Sequence, residues 1–264
     1  MVIAVNNLKT ITMKKITFLF LVVLLIVSCE NESVTQPEEQ TCDNGTYVGN
    51  VFLSTQQEVD EFGAMCYTKI EGRLQISERG LDDDIIDLTP LSSLTEVYPG
   101  RIRIHANNLT SLNGFQNITK LGGLYVHSCN ALIDLSGLEN LISIGGAEGY
   151  FQELHIEENN SLINLNGLNN LQETNGLVIV SNPSLESLDG LENLASTFTS
   201  NYYIGIDIGV FNTHIGVIPQ PNLSDFCALQ NLFSNGTFNP NLIRIQQNSY
   251  NPTVQDIIDG NCSQ

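Results

Sequence analysis

The chain has 264 residues and a net charge of −19, because 29 acidic side chains outnumber 10 basic ones. Its hydrophobic content of 42% is enough for a folded core. A surface this acidic repels nucleic acid phosphates and anionic lipid headgroups. We therefore expect no nucleic-acid partner. The charge suits cationic partners or neutral glycans, or it serves solubility alone.

The N-terminal region predicts a secretory signal. An apolar run over residues 16–27 follows Lys14 and Lys15. A helix needs about 20 apolar residues to cross a bilayer, and this run is shorter. A basic segment followed by a short apolar segment is typical of a signal peptide.

The end of this segment, Ile26-Val27-Ser28-Cys29, resembles the bacterial lipobox. The resemblance implies that residues 1–28 are a lipoprotein signal peptide and that Cys29 is lipidated and becomes the N-terminus. The alternative is an ordinary secretory peptide that happens to end in cysteine. Residues 29–41 are polar and acidic, which predicts a tether. We therefore expect a cell-envelope protein, lipid-anchored to the outer membrane, with exposure at the cell surface left open.

The predicted folded part, residues 42–264, begins with a cap. Thr55-Gln-Gln-Glu58 is a capping box, and Val59 and Phe62 give a short helix its apolar face.

A repeat occupies the middle of the chain and is the strongest indication of its fold. Four segments share one alternating frame that starts at Ile102, Leu124, Leu154 and Leu177. A Leu-x-Gly block follows each of them, with glycines at 114, 137, 167 and 190. Units this short suit strands joined by turns, stabilised by stacking on their neighbours. Each glycine fits a tight turn with positive φ.

Alternation within a strand assigns faces to the side chains. Leu124 and Val126 should point inward, and Tyr125 and His127 outward. The sixth position of the frame should lie at a turn, where a side-chain amide can bond the backbone of neighbouring repeats. The predicted ladder consists of Asn107, Cys129, Asn159 and Asn182, with Cys129 as a buried structural thiol.

The pattern from Asn159 to Leu171 resembles the receptor L domain, a leucine-rich-repeat-like fold, and the likeness covers about residues 66–250. The resemblance implies a mainly β protein, a right-handed β-solenoid with short capping helices. It also implies a ligand-binding role, since that is what the domain does in receptors. The spacing loosens over residues 197–219, and the register there stays open.

The C-terminal part predicts further caps. Ser224 should begin a helix carrying Phe226, Leu229 and Phe233, and Asn251-Pro252 a last helix that ends at Gly260. Four cysteines remain, and oxidation outside the cytoplasm allows three pairings. We prefer Cys42–Cys66 and Cys227–Cys262, because each pair would staple one cap.

The outward positions provide the candidate site. The predicted ligand-binding patch is centred on Arg103, Tyr125 and His127, and His105, His155 and Glu157 lie in the same columns. The competing location is the insertion around Gly145–Glu153, since loops often carry function. His105, His127 and Glu157 could bind a transition metal, but we favour a polar row on a solvated sheet face, so we expect no metal and no cofactor.

No catalytic motif is present in the sequence. We therefore expect a non-catalytic binding or adhesion module whose ligand is an unknown protein or glycan. One alternative is a carbohydrate-cleaving enzyme on a parallel β-helix. The predicted outward rows contain one carboxylate, whereas a glycosidase needs two. The other alternative is a purely structural envelope protein.

Overall fold

The computed structural model describes residues 43–78, 84–146, 152–197, 205–209 and 219–264. These ranges belong to one compact unit, Thr41–Gln264. The predicted signal peptide, Cys29 and the acidic tether lie outside the described residues. Among the residues that are described, no helix is both long and apolar enough to cross a bilayer.

The protein is mainly β, as predicted, with a few short helices. Thirteen strands form the sheet: β1 Thr46–Val48, β2 Val51–Leu53, β3 Lys69–Glu71, β4 Leu74–Ile76, β5 Glu96–Ile104, β6 Lys120–His127, β7 Ser143–Ile144, β8 Leu154–Glu157, β9 Glu173–Thr174, β10 Leu177–Val180, β11 Ser196–Thr197, β12 Ile206–Ile208 and β13 Ile243–Ile245. The α-helices are α1 Gln56–Gly63, α2 Gln230–Asn235 and α3 Val254–Ile258. Single 3₁₀ turns cover Thr89–Leu91, Cys227–Leu229 and Pro240–Leu242.

Every pair of neighbouring strands in the sheet is parallel, and the principal order is β1-β3-β5-β6-β8-β10-β12-β13. The register follows the sequence frame, because Leu124 lies opposite Leu154 and Leu154 opposite Leu177. Strand β12 falls where the spacing loosens, and Ile206 still pairs in frame with Leu177. The sequence pattern did not identify this strand. The rest of the stretch with uncertain register, residues 198–204 and 210–218, lies outside the described part of the chain.

The core lies on the inward face of these strands. Leu124 and Val126 are fully buried, as predicted. The leucines of the Leu-x-Gly blocks complete the same core, as Leu165 and Leu168 show. Burying a leucine side chain contributes about 1.5–3 kcal/mol, so the repeated leucines favour stacking of the repeats.

The glycines of the repeat occupy positions that no other residue fits. Gly167 and Gly190 have φ values of 108° and 111°. A Cβ atom at either would lie 2.1 Å from a carbonyl oxygen of the preceding repeat, that of Leu135 or Leu165. Glycine is therefore required for two reasons: the positive φ of these positions and the close approach of neighbouring turns.

The structure contains the predicted side-chain ladder at Cys129, Asn159 and Asn182. Asn159 Oδ1 accepts from the Cys129 amide at 2.9 Å, and Asn159 Nδ2 donates to the Val126 carbonyl at 3.0 Å. Asn182 repeats this pattern one strand further, accepting from Asn159 N and donating to a strand carbonyl. Each amide thus pairs backbone groups that turns would otherwise leave buried and unsatisfied.

The ladder continues further than the sequence indicated. Gln220 Oε1 accepts from the Asn182 amide at 3.3 Å, and Gln220 Nε2 donates to Asn248 Oδ1 at 2.9 Å. Gln220 is fully buried. Its longer side chain does here what asparagine does in the earlier repeats.

The prediction that Asn107 belongs to the ladder was wrong, because Asn107 is exposed and its side chain accepts a surface hydrogen bond from Asn130. In later repeats one residue with positive φ, such as Ser128 at 53°, separates the strand from the turn. The first repeat has no such residue there, so the buried position falls on Ala106 instead. The amide of Leu109 bonds the Ala106 carbonyl just as that of Leu132 bonds Cys129.

The caps agree with the predictions in part. Thr55 caps α1 and Val59 and Phe62 are buried, but the Glu58 carboxylate bonds the Ser54 amide rather than the Thr55 amide of a true capping box.

At the C-terminal end both predicted helix starts were wrong. Asp225, not Ser224, accepts from the Cys227 amide, and a 3₁₀ turn precedes α2. The last helix is capped by Thr253 in a capping box with Asp256, so it starts after Asn251-Pro252. These caps prevailed because the side chains of Asp225 and Thr253 reach the first amide groups of each turn.

The four cysteines that the structure describes follow the predicted division between disulfides and one buried thiol. Cys227 and Cys262 form a disulfide, and Cys129 is a buried thiol with Sγ 3.7 Å from the His127 carbonyl. Cys66 is disulfide-bonded. Its preferred partner, Cys42, lies outside the described residues, so Cys42–Cys66 remains a prediction.

Candidate functional site

The predicted outward columns exist as neighbouring positions on adjacent strands. Arg103 lies opposite Tyr125, Tyr125 opposite His155, and His127 opposite Glu157. Strands in a sheet are about 4.8 Å apart, so side chains at these positions come into contact across the strands.

The expectation that this face is openly solvated is wrong for its histidines. His105, His127 and His155 are 3%, 7% and 7% exposed. Arg103, Tyr125 and Glu157 are half-buried. Val178 and Val180, further along the same columns, are also buried, although both lie outside the hydrophobic core cluster. The polar side chains therefore pack against one another instead of standing in water.

Tyr125 is held by contacts on several sides. Its ring stacks on His155 with centroids 4.9 Å apart, and the Arg101 guanidinium lies 5.5 Å from the ring centroid. Its hydroxyl donates to Glu153. A ring stacked and hydrogen-bonded in this way loses little rotamer freedom when a ligand packs on it.

Two arginines lie beside this tyrosine, Arg101 over its ring and Arg103 opposite it on β5, and the charge of Arg73 acts on Arg101. We call Arg73, Arg101, Arg103 and Tyr125 the basic-aromatic patch; all four are half-buried. The pKa of Arg101 is lowered by burial and by the positive charges of Arg73 and Arg103, and Glu153 offsets this only in part. The patch thus concentrates positive charge within a strongly acidic chain. Arg101 and Arg73 escaped the sequence prediction, although Arg101 stands two residues before Arg103, on the same face of a strand.

His155 is buried between two carboxylates. Its Nε2 lies 3.1 Å from Glu157 Oε2 and its Nδ1 lies 3.7 Å from Glu153 Oε1. Burial alone would lower the pKa of His155, but the hydrogen bonds and charges of Glu153 and Glu157 together raise it. The charged imidazolium is therefore favoured, and His155 links the basic-aromatic patch to the acidic side chains beyond it.

His105 and His127 form a second contact at the ends of β5 and β6. Their rings stack with centroids 5.1 Å apart, and the two Nδ1 atoms are 3.1 Å apart. His127 Nε2 faces both Glu157 and Glu158. Strand alternation predicted that His127 and Glu157 are neighbours, but it did not indicate Glu153 and Glu158, which flank β8 on either side.

The outward face carries more carboxylates than the sequence pattern predicted. Only one carboxylate was expected on this face, whereas the structure brings three there: Glu153, Glu157 and Glu158. Glu153 is buried, and both Glu153 and Glu157 are bound to His155. Of the Gly145–Glu153 insertion, residues 147–151 lie outside the described part, so that competing location stays a prediction.

Arg244 and Asp207 continue the first column at its far end. They form a close ion pair in which the Asp207 side chain is 4% exposed. The hydrogen bonds to Asp207 raise the pKa of Arg244. Asp207 therefore neutralises this arginine at the end of the column.

Comparison of the chain with models of protein families, with curated proteins and with solved structures found no match.

Proposed function

We propose that this chain is a cell-envelope lipoprotein, anchored to the outer membrane through Cys29, that binds a protein or glycan ligand without catalysing a reaction. The observation that carries the binding role is the basic-aromatic patch. It gathers three of the chain's 10 basic residues, two of them beside one half-buried tyrosine, against 29 acidic residues overall. Arginine and tyrosine are the side chains most enriched at binding hot spots.

The charges of the patch favour a ligand that carries carboxylate or sulfate groups. Arg73 and Arg103 both lower the pKa of Arg101, which means that the three charges repel one another. An anionic group on a ligand would offset that repulsion and accept the planar, bidentate bonds that guanidinium groups form. The Tyr125 ring offers a flat surface beside them for a sugar or an apolar side chain.

The proposed architecture is a right-handed β-solenoid of the receptor L-domain kind. Three sets of contacts between successive repeats support it. The long strands pair in frame, β7, β9 and β11 form a second parallel row, and the turns bond one another, as the Leu135 amide does with the Asn166 carbonyl. Repeat proteins of this kind present extended faces to their ligands.

The proposal is tested by screening the purified chain against acidic glycans and peptides. For any ligand found, Arg103→Ala combined with Tyr125→Ala should weaken binding at least tenfold, about 1.4 kcal/mol. Lys69→Ala is the matched control, since Lys69 carries the same charge but pairs with Glu96 at 3.0 Å in another row. It should leave affinity unchanged.

Three outcomes would contradict parts of the proposal. Unchanged affinity in the double variant, with loss on deletion of residues 147–151, would place the site in the insertion. Cleavage of a bound glycan would favour the carbohydrate-cleaving alternative. An absence of binding to every glycan and peptide would favour a purely structural envelope role.

A further inference from the structure

Three side chains at the ends of β6 and β8 converge on one point. They are His127, Glu157 and Glu158, and their nitrogen and oxygen atoms all lie within 4.8 Å of one another. His127 and Glu157 are direct neighbours across the two strands. Glu158 has a φ of 56°, the left-handed conformation that Ser128 adopts one repeat earlier. This shared backbone conformation brings the Glu158 carboxylate beside Ser128 and His127.

The spacing of these atoms is wider than that of hydrogen bonds. His127 Nε2 lies 3.6 Å from Glu157 Oε2 and 3.5 Å from Glu158 Oε2. A nitrogen donating to oxygen normally lies about 2.7–3.2 Å away. Around a tetrahedral Zn²⁺ ion, with bonds of about 2.1 Å, neighbouring ligand atoms are separated by about 3.4 Å. The two distances thus fit the edges of a coordination polyhedron better than hydrogen bonds.

The contacts of Ser128 favour a proton on Nδ1 of His127. The Ser128 hydroxyl lies 3.1 Å from Glu158 Oε2 and 2.9 Å from His127 Nδ1. A carboxylate can only accept, so the single hydroxyl hydrogen points to Glu158. The contact with His127 is then a hydrogen bond only if Nδ1 carries a hydrogen. That hydrogen also faces His105 Nδ1, 3.1 Å away, which accepts it when His105 is in the opposite tautomer. In the neutral His127 imidazole this leaves the Nε2 lone pair directed at the carboxylates, which is the tautomer that a metal ligand requires.

Neighbouring side chains orient His127 and Glu157, and the site remains accessible to an ion from solvent. His155 Nε2 lies 3.1 Å from Glu157 Oε2 and orients that carboxylate, as Ser128 orients His127. The His127 side chain is 9% exposed, whereas those of Glu157 and Glu158 are 18% and 24% exposed. An ion can therefore enter from the carboxylate side, and the fourth position of a tetrahedral site would face solvent.

We propose that His127, Glu157 and Glu158 bind one Zn²⁺ ion, with the fourth coordination position open to water or to a group on a ligand. Imidazole favours zinc over calcium and magnesium, and two carboxylates supply the charge that balances the ion. From the sequence we expected no metal, because His105, His127 and Glu157 were interpreted as a solvated polar row and Glu158 was not included. In the structure His105 stacks behind His127 and is not a ligand. The competing explanation is an imidazolium held between two carboxylates without a metal.

Equilibrium dialysis of the chelator-treated full chain against ZnCl₂ tests the site. We expect one zinc per chain, affinity at least tenfold lower in Glu157→Gln and in Glu158→Gln, and a loss of roughly 10–100-fold in Ser128→Ala, which only orients His127. Glu173→Gln is the control, because it makes the same charge change at an exposed position of β9. Circular dichroism should show the same fold in all four variants.

A thermal melt provides a second readout. Zinc should raise the melting temperature of the unsubstituted protein and of Glu173→Gln but not of the combined Glu157→Gln, Glu158→Gln variant, because the ion binds only the folded site. Failure to bind zinc, or binding that is unchanged in both glutamate variants, would overturn the proposal. Tighter binding of Ca²⁺ or Mg²⁺ than of Zn²⁺ would overturn the assignment of the metal.

Discussion

Replacing Asn159 by alanine should destabilise the fold by about 2–3 kcal/mol. The side chain is fully buried and makes bonds to both neighbouring repeats. Its loss orphans the Cys129 amide, held at 2.9 Å, and the Val126 carbonyl, held at 3.0 Å. Each buried group left without a partner costs roughly 1–3 kcal/mol. The amide should dominate, because a carbonyl has a second lone pair that another donor can reach.

Urea denaturation followed by circular dichroism measures the change, and the slope with urea should stay constant. Asn107→Ala is the matched control, since Asn107 is exposed and makes one surface bond. It should alter stability by less than about 0.5 kcal/mol. Equal losses in the two variants, or a loss below about 1 kcal/mol for Asn159→Ala, would refute the view that the ladder satisfies buried backbone groups.

Three further substitutions test a glycine turn, the Arg244–Asp207 ion pair and the proposed lipid anchor. Gly190→Ala should lower the free energy of unfolding by more than about 3 kcal/mol, because its Cβ would lie 2.1 Å from the Leu165 oxygen. Gly260→Ala should lower it by only about 1 kcal/mol, since Gly260 has a positive φ but open space around it. Equal melting temperatures for the two variants would exclude the clash. Arg244→Ala should lower the free energy of unfolding by about 2 kcal/mol, because it leaves the buried Asp207 carboxylate without its partner while water fills the half-exposed place of the arginine. An unchanged melting temperature at neutral pH would argue against this. Cys29→Ser should release the protein from membranes during detergent fractionation, and a variant that stays in the detergent phase would contradict lipid anchoring.

Local and repetitive features of the fold could be predicted from the sequence. The inward leucines, the glycine turns and the ladder at Asn159 and Asn182 recur at fixed spacing, and each has a chemical reason that does not depend on distant residues. Alternation also predicted which side chains become neighbours across strands, because a sheet with one buried face fixes its register. The Cys227–Cys262 disulfide confirms the pairing preferred among the three that the sequence allowed.

Tertiary structure decided the ladder positions and the contacts of the candidate site. One left-handed residue, such as Ser128, shifts the turn relative to the strand, so the buried position in the first repeat is Ala106 and not Asn107. Gln220 entered the ladder because its amide reaches the same site from a different backbone position.

The candidate site shows the same limit of sequence reasoning. Alternation correctly placed His127 and His155 away from the core, but burial depends on what else covers that face, and no period in the sequence records it. Glu153 and Glu158 flank one strand in the sequence, yet only the stacking of repeats brings them against histidines of that face. The sequence by itself therefore determined the repeat and its hydrogen-bonded frame, because those depend on local spacing. The charge pairing on the candidate site depends on distances between repeats, which only the folded structure sets.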